Sequence, residues 1–416
     1  QMCIRDRAKE MLDAAEQLPA SQPEVGRIHK YIALAYAAKI KLYQAYQQDE
    51  TTHAVTSINK ELLREVVSLC DQVTASNRYG LLDDFQGLDL VANENGKESV
   101  FAIQYSMNDG TESAGRINWS NLLNSPGGGS PYGGDGFFLP SQDLINAYQT
   151  DANGLPDFNY QSKSDYSWAV LNNGVYTLQN TTPNVDPRLD FVVGRPTITW
   201  KTYPDKPCEG WVRDKETYGY NCAKRFWVSP ESSDMFNGWP WGASQLNWQI
   251  IRYADILLWK AEALIELNEG NGLETARDLI NQIRNRARNS AYVKDFNDHS
   301  KYAANYLVNP YPADVWNQDY ARQALRWETR LEKALEGERF FDLVRWGIVE
   351  TTMNKYITAE SDNRIYYANA HFTGGKDEYY PVPNNQYGFS GGKYVQNPGY
   401  APFNYCLLYT SPSPRD

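Results

Sequence analysis

The chain has 416 residues, 42% hydrophobic and 22% charged, with a formal net charge of -11. That is enough apolar material for a sizeable core in one large domain or two, and no apolar run reaches the length of a membrane-spanning helix. The acidic balance argues against a nucleic-acid partner, which needs a basic face, and does not favour an anionic ligand, although a local basic patch can override the total.

The two ends, QMCIRDR and CLLYTSPSPRD, do not continue the patterns beside them. They resemble translated adaptor sequence, so residues 1–7 and 406–416 are set aside as non-native and the chain is expected to have lost its natural start. Residues 24–47 read as one long helix, apolar on nearly all sides through Ile28, Tyr31, Ile32, Leu34, Tyr36, Ile40, Leu42 and Tyr43. A helix apolar all round is buried, and Ala33, Ala35, Ala37 and Ala38 let a neighbour approach closely. Residues 57–75 supply the partner helix, completing a first helix pair over 24–75. NRYGLLDDF breaks the period, and ESVFAIQYS alternates like a short strand.

From 76 to 247 helical periodicity mostly vanishes, and Gly, Asn, Ser, Pro, Trp and Tyr dominate after residue 106. SPGGGSPYGGDG reads as a mobile surface loop, and LPSQDLINAYQ as a short helix with Ser141 as N-cap. A loop-rich stretch this long is more often functional than decorative.

A helical scaffold follows over 248–347. WQIIRYADILLWKAEALIEL, starting at Trp248, and LETARDLINQIRNRAR each carry one apolar helix stripe. NEGNG separates them, and Asn271 with Glu274 has the spacing of a capping box. The two form an antiparallel hairpin, because neither buries its stripe alone. Residues 348–405 read as an irregular tail with TGGKDEYYPVPNNQ and QNPGY as turns.

Charged residues invite a catalytic reading. Glu328, Glu332 and Glu336 share a helix face, and two carboxylates are what glycoside hydrolysis requires. Arg339 and the Asp342/Arg345 pair at matching intervals favour a ladder of ion pairs along the helix instead. Arg252 and Asp255 are read as one more internal pair. The histidines, His29, His53, His299 and His371, show no zinc-binding spacing. DANGLPD at 151–157 clusters oxygen ligands but departs from the calcium-loop pattern, leaving calcium as a weakly supported option and no other cofactor or metal.

The aromatics stand above background, with 12 Trp and 30 Tyr. Trp168, Trp200, Tyr203, Trp211, Tyr218, Tyr220, Trp227, Trp239 and Trp241 all fall in the loop-rich region. Sugars stack flat C–H faces on such rings and leave hydroxyls for Asn172, Asn173, Asp205, Arg213, Asn237 and Gln245. The bland alternative is that each ring packs a loop onto the scaffold. The expected ligand residues are Trp239, Trp241, Trp211, Trp227, Trp200, Tyr203, Arg213 and Asn237, with at least two exposed rings forming a platform. FNGWPWG is the first choice, since Gly and Pro fix the backbone that presents Trp239 and Trp241.

RYADILLWKAEAL, EGERFFDLVRWG, YYPVP and QNPGY, in that order, resemble the SusD/RagB family, nutrient-binding lipoproteins of the Bacteroidota outer membrane. GRIHKYIALAYAAKIKLYQAY, ESVFAIQYS, LPSQDLINAYQ and DPRLDFVV extend the resemblance over most of residues 24–400. It implies a mainly α, SusD-like domain over 8–405, with tetratricopeptide-like helix pairs carrying long irregular loops. It also implies a surface-exposed, lipid-anchored protein whose secretory signal and lipid-bearing Cys lie upstream. Such a protein binds oligosaccharide or polysaccharide without catalysis and delivers it to a SusC-like TonB-dependent transporter. The family's binding aromatics sit in variable loops and are not carried over. The alternatives are peptide or host-glycoconjugate binding by the same scaffold, a glycoside hydrolase, and a pure helical interaction scaffold. In an exported protein Cys208 and Cys222 could pair and pin their loop, with two separate thiols as the alternative. Cys70, on the apolar stripe of 57–75, reads as a buried thiol.

Overall fold

The computed structural model describes residues 2–363 apart from 50, 113–114, 120–123, 125, 164–165, 167–168, 173–174, 179–182, 197, 208, 213–220 and 240, and beyond them the strand pair Phe389–Ser390 and Lys393–Tyr394. Helices dominate: α1 Met2–Gln17, α2 Lys30–Ala45, α3 Lys60–Ala75, the short α4 Gln142–Ala147 and α5 Arg188–Val192, then α6 Tyr253–Leu267, α7 Gly272–Asn289, α8 Gln318–Glu332, α9 Arg339–Arg345 and α10 Val349–Asn363. Successive neighbours pack as pairs: α1 on α2, α2 on α3, α3 on α6, and α6 on both α7 and α8.

The alanines explain how closely α2 is surrounded. Ala35, Ala37 and Ala38 are fully buried, beside Leu42, Leu63, Val66 and Ile256. Each fully buried Leu or Ile stabilises the fold by roughly 1.5–3 kcal/mol. Cys70 belongs to the same core, and burial pushes its thiol up to about 12, which leaves it unreactive.

Local chemistry sets the ends. Asn59 caps α3 by accepting from the Leu62 N–H at 3.1 Å, and Ser141 caps α4 by accepting from the Leu144 N–H at 3.2 Å. Asn268 closes α6 in the left-handed region at φ 49°. The sequence reading misplaces several boundaries. The helix expected over 24–47 begins at Lys30, because Gly26 turns the chain at φ 84°, and Tyr46–Gln48 leaves it to pair with Val55–Ile58. Trp248–Arg252 is a strand, antiparallel to Ser99–Ile103, and the helix starts after it. Asn271 makes no side-chain cap at α7. The region called an irregular tail contains α10; YYPVP and QNPGY lie outside the described residues.

The glutamates of α8 do not form the expected ladder of ion pairs along their own helix. Glu328 and Glu332 are fully buried and reach across elements. Arg188 lies 2.5 Å from Glu328 and 3.2 Å from Glu332. Arg284 lies 3.1 Å from Glu328, Arg252 lies 3.0 Å from Glu332, and Arg286 also pairs with Glu332. Glu336, beyond the end of α8, takes Arg252 at 2.8 Å and Lys333 at 2.6 Å. The expected Arg252–Asp255 ion pair is a helix-start bond instead: the Arg252 backbone N–H donates to Asp255 at 2.7 Å, and that carboxylate pairs with Lys333. Asp342 and Arg345 do pair, at 2.7 Å. Burial pushes the Glu332 carboxyl up, but the guanidiniums of Arg286, Arg252 and Arg188 outweigh it and hold it at about 2. These carboxylates are committed to arginines inside the scaffold.

Candidate functional site

Beside the scaffold, the loop-rich region folds around its own small aromatic core. Trp200 and Trp211 meet edge to face with centroids 5.1 Å apart, and Tyr132 lies 5.3 Å from Trp227. The Trp200 indole donates to the Tyr132 hydroxyl at 2.8 Å, and that hydroxyl donates to the Val228 carbonyl at 2.6 Å. Trp200, Trp211 and Trp227 are buried. They offer no face to a ligand, which corrects their placing in the platform: rings enclosed on all sides belong to the core, and the Trp200 N–H is used there as well. Tyr203 is half-buried against Trp211, 6.2 Å away. Tyr132 also pins the glycine-rich stretch expected to be mobile, where Gly129 N–H donates to the Gly210 carbonyl at 2.9 Å.

Two of the expected rings do face outward. Met235 and Ser244 bridge, and the Phe236 N–H donates to Ala243 at 2.9 Å, closing a tight turn. Gly238 and Gly242 in that turn have φ of 143° and 73°, conformations that favour glycine. Trp239 and Trp241 at its tip are 65% and 52% exposed, with Asn237 exposed beside them. The Asn118 N–H donates to Ser244 at 2.8 Å, which brings Trp119, 47% exposed, to the base of the same turn. Trp119 was not anticipated, because a lone Trp in INWSN carries no pattern. Gly133 lies against the Trp241 side chain. Arg213, Trp168, Tyr218, Tyr220, Asn173 and Cys208 lie outside the described residues, as does the side chain of Asn172 and therefore the Cys208–Cys222 pairing.

A polar collar holds the turn. Asp234 accepts from the Gln245 amide at 2.6 Å, and Asn247 donates from its backbone to Glu94 at 2.6 Å while its side chain accepts from the Tyr105 N–H at 2.7 Å. Burial raises the Glu94 carboxyl to about 7, partly offset by the Asn247 N–H. A carboxyl whose folded pKa lies above its unfolded value costs stability as pH rises from its ordinary 4.5 towards 7. Glu94→Gln is therefore expected to flatten the fall in melting temperature over that window, measured by thermal unfolding in a buffer series; an unchanged slope counts against this account.

In DANGLPD the carboxylates serve the chain. Asp151 accepts from the Asn153 and Leu155 N–H groups, and Asp157 from the Asn159 N–H. Among the described residues no three His, Cys, Asp or Glu side chains gather as a metal site, and no helix is long and apolar enough to cross a membrane.

Comparison with known proteins then decides the family. The profile of the SusD family matches residues 97–400. The chain belongs to the SusD family. No curated protein sequence matches it. Among solved structures, a SusD-like protein from Bacteroides fragilis is 23% identical with a TM-score of 0.55, over 84% of this chain and 61% of that one. A SusD-like carbohydrate-binding protein from the same species is 20% identical with a TM-score of 0.59, over 91% and 68%. A structure with a xylogluco-oligosaccharide is 16% identical with a TM-score of 0.55, over 95% and 66%. The SusD-family chain thus spans about three-fifths of the length of the first of these, 61%, and shares their helix-rich fold.

Proposed function

We propose that this SusD-family chain binds oligosaccharide or polysaccharide on the Trp239–Trp241 turn, at the outer-membrane surface where a lipid anchor holds the protein. It passes the glycan unaltered to a SusC-like TonB-dependent transporter. The observation that carries this reading is the pair of exposed indoles on a turn closed by its own hydrogen bonds, with glycine at its positive-φ positions. A preformed aromatic face binds with little ordering cost. The xylogluco-oligosaccharide held by one structural relative supports a glycan over other cargo. The pairing of Glu328, Glu332 and Glu336 with buried arginines supports binding without hydrolysis.

Calorimetry against xylogluco-oligosaccharides, laminari-oligosaccharides and a casein peptide digest tests it. Trp239→Ala and Trp241→Ala are each expected to weaken glycan binding by about tenfold or more, with the melting temperature unchanged. Undiminished glycan binding by the double variant, peptide binding in place of glycan binding, or release of new reducing ends would each overturn the reading.

A further inference from the structure

Two short stretches, residues 105–107 and 117–119, are fastened to the arm 244–247 that leads out of the tryptophan turn. The Tyr105 N–H donates to the Asn247 side chain at 2.7 Å, and the Met107 N–H to the Gln245 side chain at 3.3 Å. From the other stretch the Asn118 N–H donates to the Ser244 carbonyl at 2.8 Å, and the Asn118 amide to the Leu246 carbonyl at 3.1 Å. The Ser106 N–H donates to the Arg116 carbonyl at 2.9 Å, so the two stretches are also tied to each other.

Trp119 is the unusual residue of this unit. Ile117 and Asn118 before it are buried, yet its own indole is left about half in water. In an antiparallel bridge the residue after one partner stands across from the residue before the other. The Asn118–Ser244 bridge therefore places Trp119 across from Ala243, two residues along the arm from Trp241. On a strand ladder, large side chains at such a diagonal are within reach of each other. Gly242, at φ 73°, bends the arm between Ala243 and Trp241 and leads on to the tip.

Three indoles thus stand in water on one hydrogen-bonded unit, beside a core that encloses Trp200, Trp211 and Trp227 entirely. Leaving so large an apolar ring exposed forfeits the burial that stabilises a fold, and exposed apolar surface gathered in one place marks a binding surface. One pyranose ring covers one indole face. Two rings at the tip and a third at the base are therefore matched by linked sugar units and not by a single one. Once part of a chain is held at the tip, its next units meet Trp119 as an intramolecular step, which raises the affinity of long chains over short ones.

Building on the glycan reading of the turn, we propose that Trp119 is a third ligand-binding ring and that the site selects chains of several linked sugar units over mono- and disaccharides. The test is calorimetry of the whole chain with cello- and laminari-oligosaccharides of two, four and six units. The unaltered chain is expected to bind a six-unit chain at least about tenfold more tightly than the two-unit chain of the same linkage. Trp119→Ala should remove most of that gain and leave two-unit binding within about twofold of its original value, and Trp119→Tyr should restore most of the gain. Phe341→Ala, which removes a similarly exposed ring from α9, should change neither. Should Trp119→Ala fail to fold, the Trp119 indole N–H resonance of the unaltered chain, assigned through Trp119→Tyr, decides: it moves with the six-unit chain and not with the two-unit one. Equal affinity at all lengths, a full length gain in Trp119→Ala, an equal loss for short and long chains in that variant, the same loss in Phe341→Ala, or a still Trp119 resonance would overturn the third ring. Absence of binding at every length by the unaltered chain fails the glycan reading of the turn and the third ring with it, whereas binding that ignores Trp119 fails the third ring alone.

Discussion

Glu332→Ala is expected to destabilise the chain by about 3–5 kcal/mol, the range for breaking a buried ion pair from one side. The carboxylate is fully buried and shared by Arg188, Arg252 and Arg286. These three guanidiniums come from α5, the strand before α6, and α7. Removing the carboxylate leaves their charge facing a void, and the elements they tie together lose a common anchor. A urea melt followed by circular dichroism measures the loss; a shift under about 1 kcal/mol would mean that the remaining carboxylates absorb the charge. The pH dependence has a definite sign. The folded pKa, about 2, lies below the ordinary 4.5, so this contribution is fully present above 4.5 and is lost as pH falls through about 2. Glu332→Gln, nearly the same shape without the charge, is expected to be less stable at neutral pH and to have a shallower acid limb.

Gly194→Ala is expected to be the second most damaging change. The glycine sits in the strand pair Val193–Gly194 with Cys222–Ala223. An added Cβ would lie 2.3 Å from the Trp200 ring and 2.8 Å from the Cys222 sulfur. Trp200 cannot swing away, since it is fully buried and its N–H is held by Tyr132. Overpacking of this kind costs about 1–3 kcal/mol, occasionally more. Gly128→Ala is the control: it is exposed, has nothing within 4 Å of an added Cβ, and should change stability by no more than about 0.5 kcal/mol. Equal denaturation midpoints for the two variants would refute the packing argument.

The sequence and the structure agree where the signal is local. The stripes of α3, α6 and α7 and the Ser141 cap were legible because period and cap chemistry depend on neighbours a few residues apart. The ion core was not. Glu328, Glu332 and Glu336 at intervals of four look the same whether they face water or arginines. What decides is that Arg188 lies 140 residues from Glu328 and Arg252 lies 80 from Glu332 in the chain, separations that no spacing rule spans. The aromatics divide for a similar reason. Density of Trp in 200–241 was visible, but its sorting into a buried set and an exposed pair depends on Tyr132 arriving from a distant loop. The one local clue, glycine and proline around Trp239 and Trp241, pointed to the pair that is exposed.

The turn from Met235 to Ser244 has one further consequence. It is closed by backbone bonds across its own neck and tied below by Asn118, while the arginines and glutamates that fasten the helices lie elsewhere. Its tip can therefore be rewritten, in length or in ring identity, without the frame registering the change. On the proposed function, ligand preference resides in a cassette of fewer than about ten residues, and transplanting FNGWPWG onto another such neck is expected to carry that preference with it.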